Sequence, residues 1–277
     1  MLNISIVLYY PKLDQVCHLV QTLLSAQTIK NIYLLDNSPI SIGDDGLKKM
    51  ILSKKIHYIW NEGENLGYGR AHNIAIRESV WQRTKYHLVM NADIEVQAED
   101  IDRLYNFMEH NANVGQVMPR VVYPNGELQY LCKLLPTPWD VFARRFLPDF
   151  IGKKRRFRYE LRHTGYRDIM NVPYLSGCFM FLRTEAVLQA RLFDERYFMY
   201  PEDIDLTRTI HRNYLTLYVP EITIVHHHAK GSYKSWHLLW VHVVNMCRYF
   251  NKWGWFFDRE RSEINRLTLQ LCNSEKS

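Results

Sequence analysis

The sequence predicts an α/β fold: a mostly parallel, Rossmann-like sheet flanked by helices, followed by a C-terminal helical appendage. Three observations carry this. Short β-rich runs alternate with amphipathic stretches through the first half, polar residues close those runs, and an aromatic helical pattern occupies the last fifth of the chain. With 277 residues and 47% hydrophobic content, the chain can bury a substantial core.

Each element follows in order. "ISIVLYY" reads as a first strand and "LDQVCHLVQTLLSA" as a helix; "NIYLLDNS" is a second strand, followed by a polar helix-like stretch. "KIHYIWN", "GRAHNIAIRESVWQR" and "YHLVMNAD" repeat the strand, helix, strand order. Ligands bind such sheets at the carboxyl ends of the strands. Attention therefore falls on Asp36, on the segment from Asn61 to Asn65, and on Asn91 to Asp93. Beyond these, "AEDIDRLYNFMEH" is helix-like, and Pro-Asn-Gly at 124–126 predicts a hairpin. "FIGKKRRFRYELRHTGYRD" reads as a mobile loop or surface arm, "YLSGCFMFLR" as an apolar segment with a helix from about Thr184, and "LTLYVPEITIVHHH" as a strand pair. Residues 1–233 form one expected domain, in two parts at about 1–95 and about 96–233; residues 234–277 are the aromatic extension.

The formal charge of +6 favours an anionic partner without choosing among nucleic acid, nucleotide and lipid headgroup. Five scattered cysteines without a CxxC pair support neither a disulfide framework nor a zinc ribbon, so a reducing compartment is expected. The N-terminus lacks a basic leader and a cleavage site. The late run "WHLLWVHVVNMCRYFNKWGWFFD" is interrupted too often by polar residues for a spanning helix.

Four segments can carry chemistry, and each also has a plain structural reading. "GENLGYGRAHN" (63–73) follows a strand and opens a helix; its glycines permit either a tight turn or close approach of a phosphate to free N–H groups. "NAD" at 91–93, with Glu95 nearby, is either an Asx turn or one carboxylate of a Mg²⁺ or Mn²⁺ site. In "VHHHAKGSY", strand alternation puts His226 and His228 on one face and His227 on the other. "YPEDIDL" crowds Glu202, Asp203 and Asp205 together, either as a helix first turn or as a source of a general base.

The order of these segments, from a β-rich start ending in Asp36 through "NLGYGRAHN", "NAD", "YLSGCFMFLR" and "FDERYFMYPEDIDL" to "IVHHHAKGSY", resembles the family 2 glycosyltransferases. More narrowly it resembles the bacterial rhamnosyltransferase-like members that build lipopolysaccharide or capsular chains, over Ile4 to about Asp258. The resemblance implies a GT-A fold and inverting transfer of a sugar, such as rhamnose, from a nucleotide-diphosphate donor to a glycan or polyprenyl-linked acceptor. Asp36 would contact base or ribose. The segment carrying Asn65, Gly67, Tyr68, Gly69, Arg70 and Asn73 would close over the nucleotide, with Asn91 and Lys230 among the donor contacts. Asp93 matches the last position of the DxD-type metal motif, whose first aspartate is here Asn91; Glu95 would assist through water. His226, with His228 as its same-face rival, would complete a site for Mg²⁺ or Mn²⁺. Glu202 and Asp203 match the acidic pair that carries the base. Helix geometry does not rank them; the reading takes Asp203 as base, Glu202 as acceptor-orienting and Asp205 as a brace. Lys230, Ser232 and Tyr233 would lie on a loop over the diphosphate.

The implied setting is cytoplasmic, peripheral on the inner face of the bacterial membrane. An aromatic stripe from Trp236 to Phe250 and the basic run at 153–158 would face anionic lipid, and no nucleic-acid partner is expected. The rivals are a noncatalytic glycan- or lipid-binding protein, encouraged by Asn91, and a sugar-phosphate nucleotidyltransferase, whose glycine-rich basic loop is missing near the N-terminus.

Overall fold

The structure is a computed structural model that describes residues 1–42, 53–141, 149–227 and 236–274. His228, Lys230, Ser232 and Tyr233 lie outside the described residues, as does most of the polar stretch after the second strand.

Strand β1 (Leu2–Leu8) sits inside the sheet and buries both of its faces. Leu2, Ile4, Ile6 and Leu8 point into the main core, where Val16, Leu19, Val20 and Leu23 of helix α1 (Leu13–Ser25) meet them at helical spacing. Asn3 and Ser5, on the opposite face, enter a buried polar network. The Ser5 hydroxyl lies 2.6 Å from His72 Nδ1 and 2.8 Å from His87 Nε2, and Asn3 donates to Ser79 Oγ at 3.0 Å. Burial pushes His87 down to about 3 and holds His72 well below the usual imidazole range, so both rings are neutral at physiological pH.

Strands β2 (Ile29–Asp36), β3 (Ile56–Trp60) and β4 (Tyr86–Asn91) run parallel with β1, and helix α2 (Tyr68–Trp81) is the crossover between β3 and β4. After the short β5 (Ile94–Glu95) and helix α3 (Ala98–His110), β6 (Val114–Val122) continues the sheet. A turn at Pro124–Gly126 follows it, closed by one antiparallel bridge between Val122 and Leu128. The hairpin predicted there is therefore minimal. A two-stranded ribbon joins β7 (Cys132–Lys133) to β9 (Tyr174–Leu175), with helix α4 (Asp149–Tyr159) and β8 (Met170–Asn171) between them in sequence. The basic arm expected as a loop is thus largely helical: Lys and Arg are good helix formers, and the scarcity of aliphatics hid that.

Strand β10 (Phe179–Arg183) runs antiparallel between β4 and β6, and α5 (Thr184–Gln189) begins at the expected residue. Helix α6 (Glu202–His211) leads to β11 (Leu215–His226). The predicted strand pair is one strand, paired parallel with β6 and carrying a register shift between Val219 and Thr223. Pro220, which has no N–H to give a ladder, sits at this irregularity. The nine-stranded sheet has the order β3-β2-β1-β4-β10-β6-β11-β5, with β8 on β11.

Helices α7 (Trp236–Trp253) and α8 (Arg259–Ser274) pack on this body. Met246, Tyr249 and Phe250 share a core with Leu135, Tyr174, Tyr197 and Ile204. Ionic contacts tie the helices to α6. Arg208, 1% exposed at its side chain, meets Asp258 at 2.8 and 2.9 Å and Glu260 at 2.7 Å, with its guanidinium 4.0 Å from the Trp253 ring. The predicted α7 stripe divides: Trp236, Trp240 and Val243 are exposed, Val244 and Cys247 half-buried, and Phe250 reaches the core. Among the described residues, no helix is long and apolar enough to cross a membrane.

Candidate active site

A cleft of about 490 Å³ opens at the carboxyl end of β4 and brings distant parts of the chain together. Tyr68 and Asn91 line one side, Gly177 and Cys178 the floor, Glu202 and Asp203 the first turn of α6, and His226 the end of β11. The same loop after β4 carries Asp93, whose Oδ1 lies 3.3 Å from His226 Nε2. Gln129 orients that imidazole: its Oε1 is 3.0 Å from Nδ1, and its amide nitrogen donates to the His226 carbonyl at 2.8 Å. Burial disfavours charge on His226, but Asp93 and Cys178 beside it more than offset this and raise it to about 10.

The two acids of α6 occupy different environments. Asp203 Oδ2 accepts the Gly177 N–H at 2.9 Å, and Oδ1 accepts the Ile204 N–H at 2.8 Å. Burial pushes this carboxyl up to about 6, opposed by those N–H groups and by Lys133. Glu202, 4% exposed, has a buried Oε2 without a hydrogen-bond partner. Burial and the adjacent Asp203 hold it well above the ordinary carboxylate range. Asp205 turns away from the pair and braces α6, accepting from Lys252 Nζ at 2.7 Å and Trp253 Nε1 at 2.6 Å.

The glycine-rich segment packs closely against residues 193–198. A Cβ on Gly67, whose φ is 77°, would fall 2.2 Å from the Phe198 carbonyl oxygen, and one on Gly69 would fall 2.9 Å from Phe193 Cβ. The Tyr68 N–H donates to that Phe198 carbonyl at 3.0 Å. These glycines admit the 193–198 segment to the start of α2. Asn73 is spent on the same contact, bonding the Phe193 backbone through both ends of its amide at 2.9 and 3.1 Å. Arg70 is an exposed surface residue near Glu64 and Glu195. Asn65 accepts from the Gly67 N–H at 3.0 Å and from Asn37 at 3.2 Å. Tyr68 alone of the segment lines the cleft; its hydroxyl reaches the Gly177 carbonyl at 2.6 Å and Asn91 at 3.1 Å.

Asp36 is fully buried, with its oxygens engaged by the Ser38 N–H at 2.9 Å, the Ile42 N–H at 3.3 Å and the Tyr58 hydroxyl at 2.6 Å. It shapes the loop after β2. Glu95 bonds His227 at 2.6 Å at the surface, on the face opposite His226 as strand alternation requires. Sequence reasoning missed Gln129, Cys178 and Lys133. Single polar residues in apolar surroundings carry no spacing signal; only the fold brings them here.

Among the described residues, no three His, Cys, Asp or Glu side chains converge as a complete metal cage. One carboxylate and one imidazole 3.3 Å apart would instead suit a cation that displaces the proton His226 shares with Asp93 and takes its other ligands from water and phosphate.

A mostly parallel sheet with β10 reversed in its middle and the short β5 and β8 reversed on β11, flanked by helices and carrying a cleft at the strand ends, is the GT-A architecture of nucleotide-sugar enzymes. The solved structures agree in fold. GalNAc-T7 with UDP, GalNAc and Mn²⁺ superposes with a TM-score of 0.60 at 16% identity, over 82% of this chain and 43% of that one. The mannosyltransferase PcManGT from Pyrobaculum calidifontis, in complex with GDP-Man and Mn²⁺, gives 0.56 at 14% identity, over 89% and 64%. Residues 6–189 match the family model of glycosyl transferase family 2, and the chain belongs to that family.

Among curated relatives, the N-acetylglucosaminyl-diphospho-decaprenol L-rhamnosyltransferase of Mycobacterium tuberculosis is 29% identical over 191 residues, 64% of this chain and 61% of the relative. Rhamnosyltransferase WbbL of Escherichia coli K12 is 28% identical over 225 residues, 73% of this chain and 78% of the relative. The chain thus spans about three fifths of the length of the mycobacterial protein.

Proposed function

We propose that this chain transfers a sugar, rhamnose in the first instance, from a nucleotide-diphosphate donor to a hydroxyl of a polyprenyl-diphosphate-linked glycan, with inversion at the anomeric carbon. The observation that carries this reading is the meeting, around one cleft, of the Glu202–Asp203 pair with His226 and its partner Asp93. The named relatives supply the donor sugar and acceptor class.

Asp203 takes the proton from the acceptor hydroxyl as that oxygen attacks the anomeric carbon and the bond to the diphosphate breaks. The Gly177 N–H fixes its carboxylate at 2.9 Å and leaves its remaining lone pairs for the acceptor. Glu202, held protonated by burial, donates a hydrogen bond that orients the acceptor. Asp93 and His226 would hold Mg²⁺ or Mn²⁺ with the diphosphate oxygens, and the ion would offset charge growing on the leaving group. Gln129 holds the His226 ring in place for that task. Residues 1–95 serve the donor and 96–233 the acceptor, while the exposed Trp236 and Trp240 and the basic face of α4 rest on an anionic bilayer at its cytoplasmic side. Flotation with anionic liposomes tests that last point; equal, negligible binding by wild type and a variant neutralised at 153–158 refutes it.

The activity is tested with a panel of nucleotide-diphosphate sugars, first by thermal shift with and without Mn²⁺, then by nucleotide release with a lipid-linked acceptor. The expected result is stabilisation by one donor and acceptor-dependent release. Glycan binding without release from any donor would favour the noncatalytic reading.

A further inference from the structure

A second groove of about 590 Å³ continues the cleft past Tyr174, Ser176, Tyr200 and His226. Lys133, Arg156 and Arg162 bring positive charge to it, with Glu127 and Glu160 as the acidic groups of its wall. Lys133 is only 8% exposed, set opposite Tyr174 in the β7–β9 ribbon with its ammonium 4.9 Å from that ring. Arg162 stacks 4.1 Å from the Tyr130 ring and pairs with Glu160, and the groove's lining carries three basic side chains against two acidic ones. A buried ammonium beside a guanidinium is chemistry suited to phosphate oxygens, the first as a point charge and the second as a planar fork.

The other wall is apolar. Leu238 and Leu239 of α7 border the groove, and the same helix carries the exposed Trp236 and Trp240 next to them. The basic groups and the apolar residues thus face one groove, which shares Leu238 with the cleft of the acid pair. Asp36, Tyr68 and Asn91, by contrast, do not border this groove, whereas His226 lies where it meets the cleft.

We infer that this groove is the subsite for the diphosphate of the lipid-linked acceptor, with Lys133, Arg156 and Arg162 on the phosphates and Leu238 and Leu239 against the first prenyl units. The inference rests on the acceptor class proposed above and adds where its anionic junction sits. It orders the acceptor along the channel: sugar hydroxyl at Asp203, diphosphate at the basic groups, lipid along α7.

The test is direct binding by calorimetry, without turnover, of farnesyl diphosphate, inorganic pyrophosphate and a nucleoside diphosphate with Mn²⁺. Wild type should bind farnesyl diphosphate more tightly than pyrophosphate. Arg156→Met/Arg162→Met, which leaves the buried lysine in place, should weaken farnesyl diphosphate by about tenfold or more and leave the nucleoside diphosphate within about twofold. Lys133→Met should do the same, with its melting curve checking the fold. Farnesyl diphosphate binding that is absent in wild type or unchanged in the double variant overturns the assignment. So does equal weakening of both diphosphates, which would give the groove to the donor. Sugar transfer that persists beside any of these results leaves the proposed activity standing and removes only the groove.

Discussion

Replacing Asp203 by Asn separates the chemical role of this carboxyl from its structural one. The amide keeps an oxygen for the Gly177 N–H, 2.9 Å from Oδ2, gives up the bond that Oδ1 accepts from the Ile204 N–H at 2.8 Å, and loses the capacity to take a proton. Burial raises the Asp203 carboxyl from 3.8 to about 6. A carboxyl raised in the folded state stabilises below its unfolded value, and that contribution is lost as pH rises from about 4 through about 6; at neutral pH its ionised form costs on the order of 2–3 kcal/mol. The Asn variant escapes that cost. The lost Ile204 N–H bond, worth about 1–3 kcal/mol, offsets much of the gain, so its melting temperature at pH 7 should stay within about 5 °C of wild type. Its turnover should fall by about 10²- to 10⁴-fold, ~2.7–5.5 kcal/mol in the barrier. Nucleotide release measured beside differential scanning calorimetry reads both. Wild-type turnover should also rise with pH through about 6 as the base ionises. A fully active Asn variant would refute the assignment. So would a variant whose activity loss matches a loss of folded protein.

Other perturbations follow from the same geometry. Gly67→Ala sets a methyl group 2.2 Å from the Phe198 carbonyl at a φ of 77°, so it should cost about 2 kcal/mol or more in urea denaturation; a neutral result would mean that the 193–198 segment yields easily. Asp258→Ala leaves the buried Arg208 guanidinium with Glu260 as its remaining carboxylate and should cost about 3–5 kcal/mol, read from the urea midpoint. Asp93→Ala should abolish the extra thermal stabilisation that Mn²⁺ gives in the presence of a nucleoside diphosphate; full retention would move the ion elsewhere.

Much of the sheet was legible because strand and helix periods alternate cleanly up to Asn91, and Leu2, Ile4, Ile6 and Leu8 match the α1 stripe. The acid pair and His226 were legible as local patterns at element ends, which the fold then brought to one cleft. The glycines at 67 and 69 were visible, but their purpose was not. A glycine announces close approach without saying whether ligand or chain approaches, and here Phe193 and Phe198 do. Helix α4 was hidden by its charge, and the expected strand pair at 215–228 is one strand, β11, which absorbs Pro220 in a register shift. Arg208 gave no signal within "TRTIHRN", because its partners Asp258 and Glu260 lie some 50 residues on.

The central claim is spatial, and anomalous diffraction tests it most directly. Crystals grown with Mn²⁺ and a nucleoside diphosphate should show the metal peak within bonding distance of both the Asp93 carboxylate and the His226 imidazole, its diphosphate facing Asp203 across the cleft. A peak coordinated by neither residue, with the nucleotide seated away from the acid pair, would contradict the account.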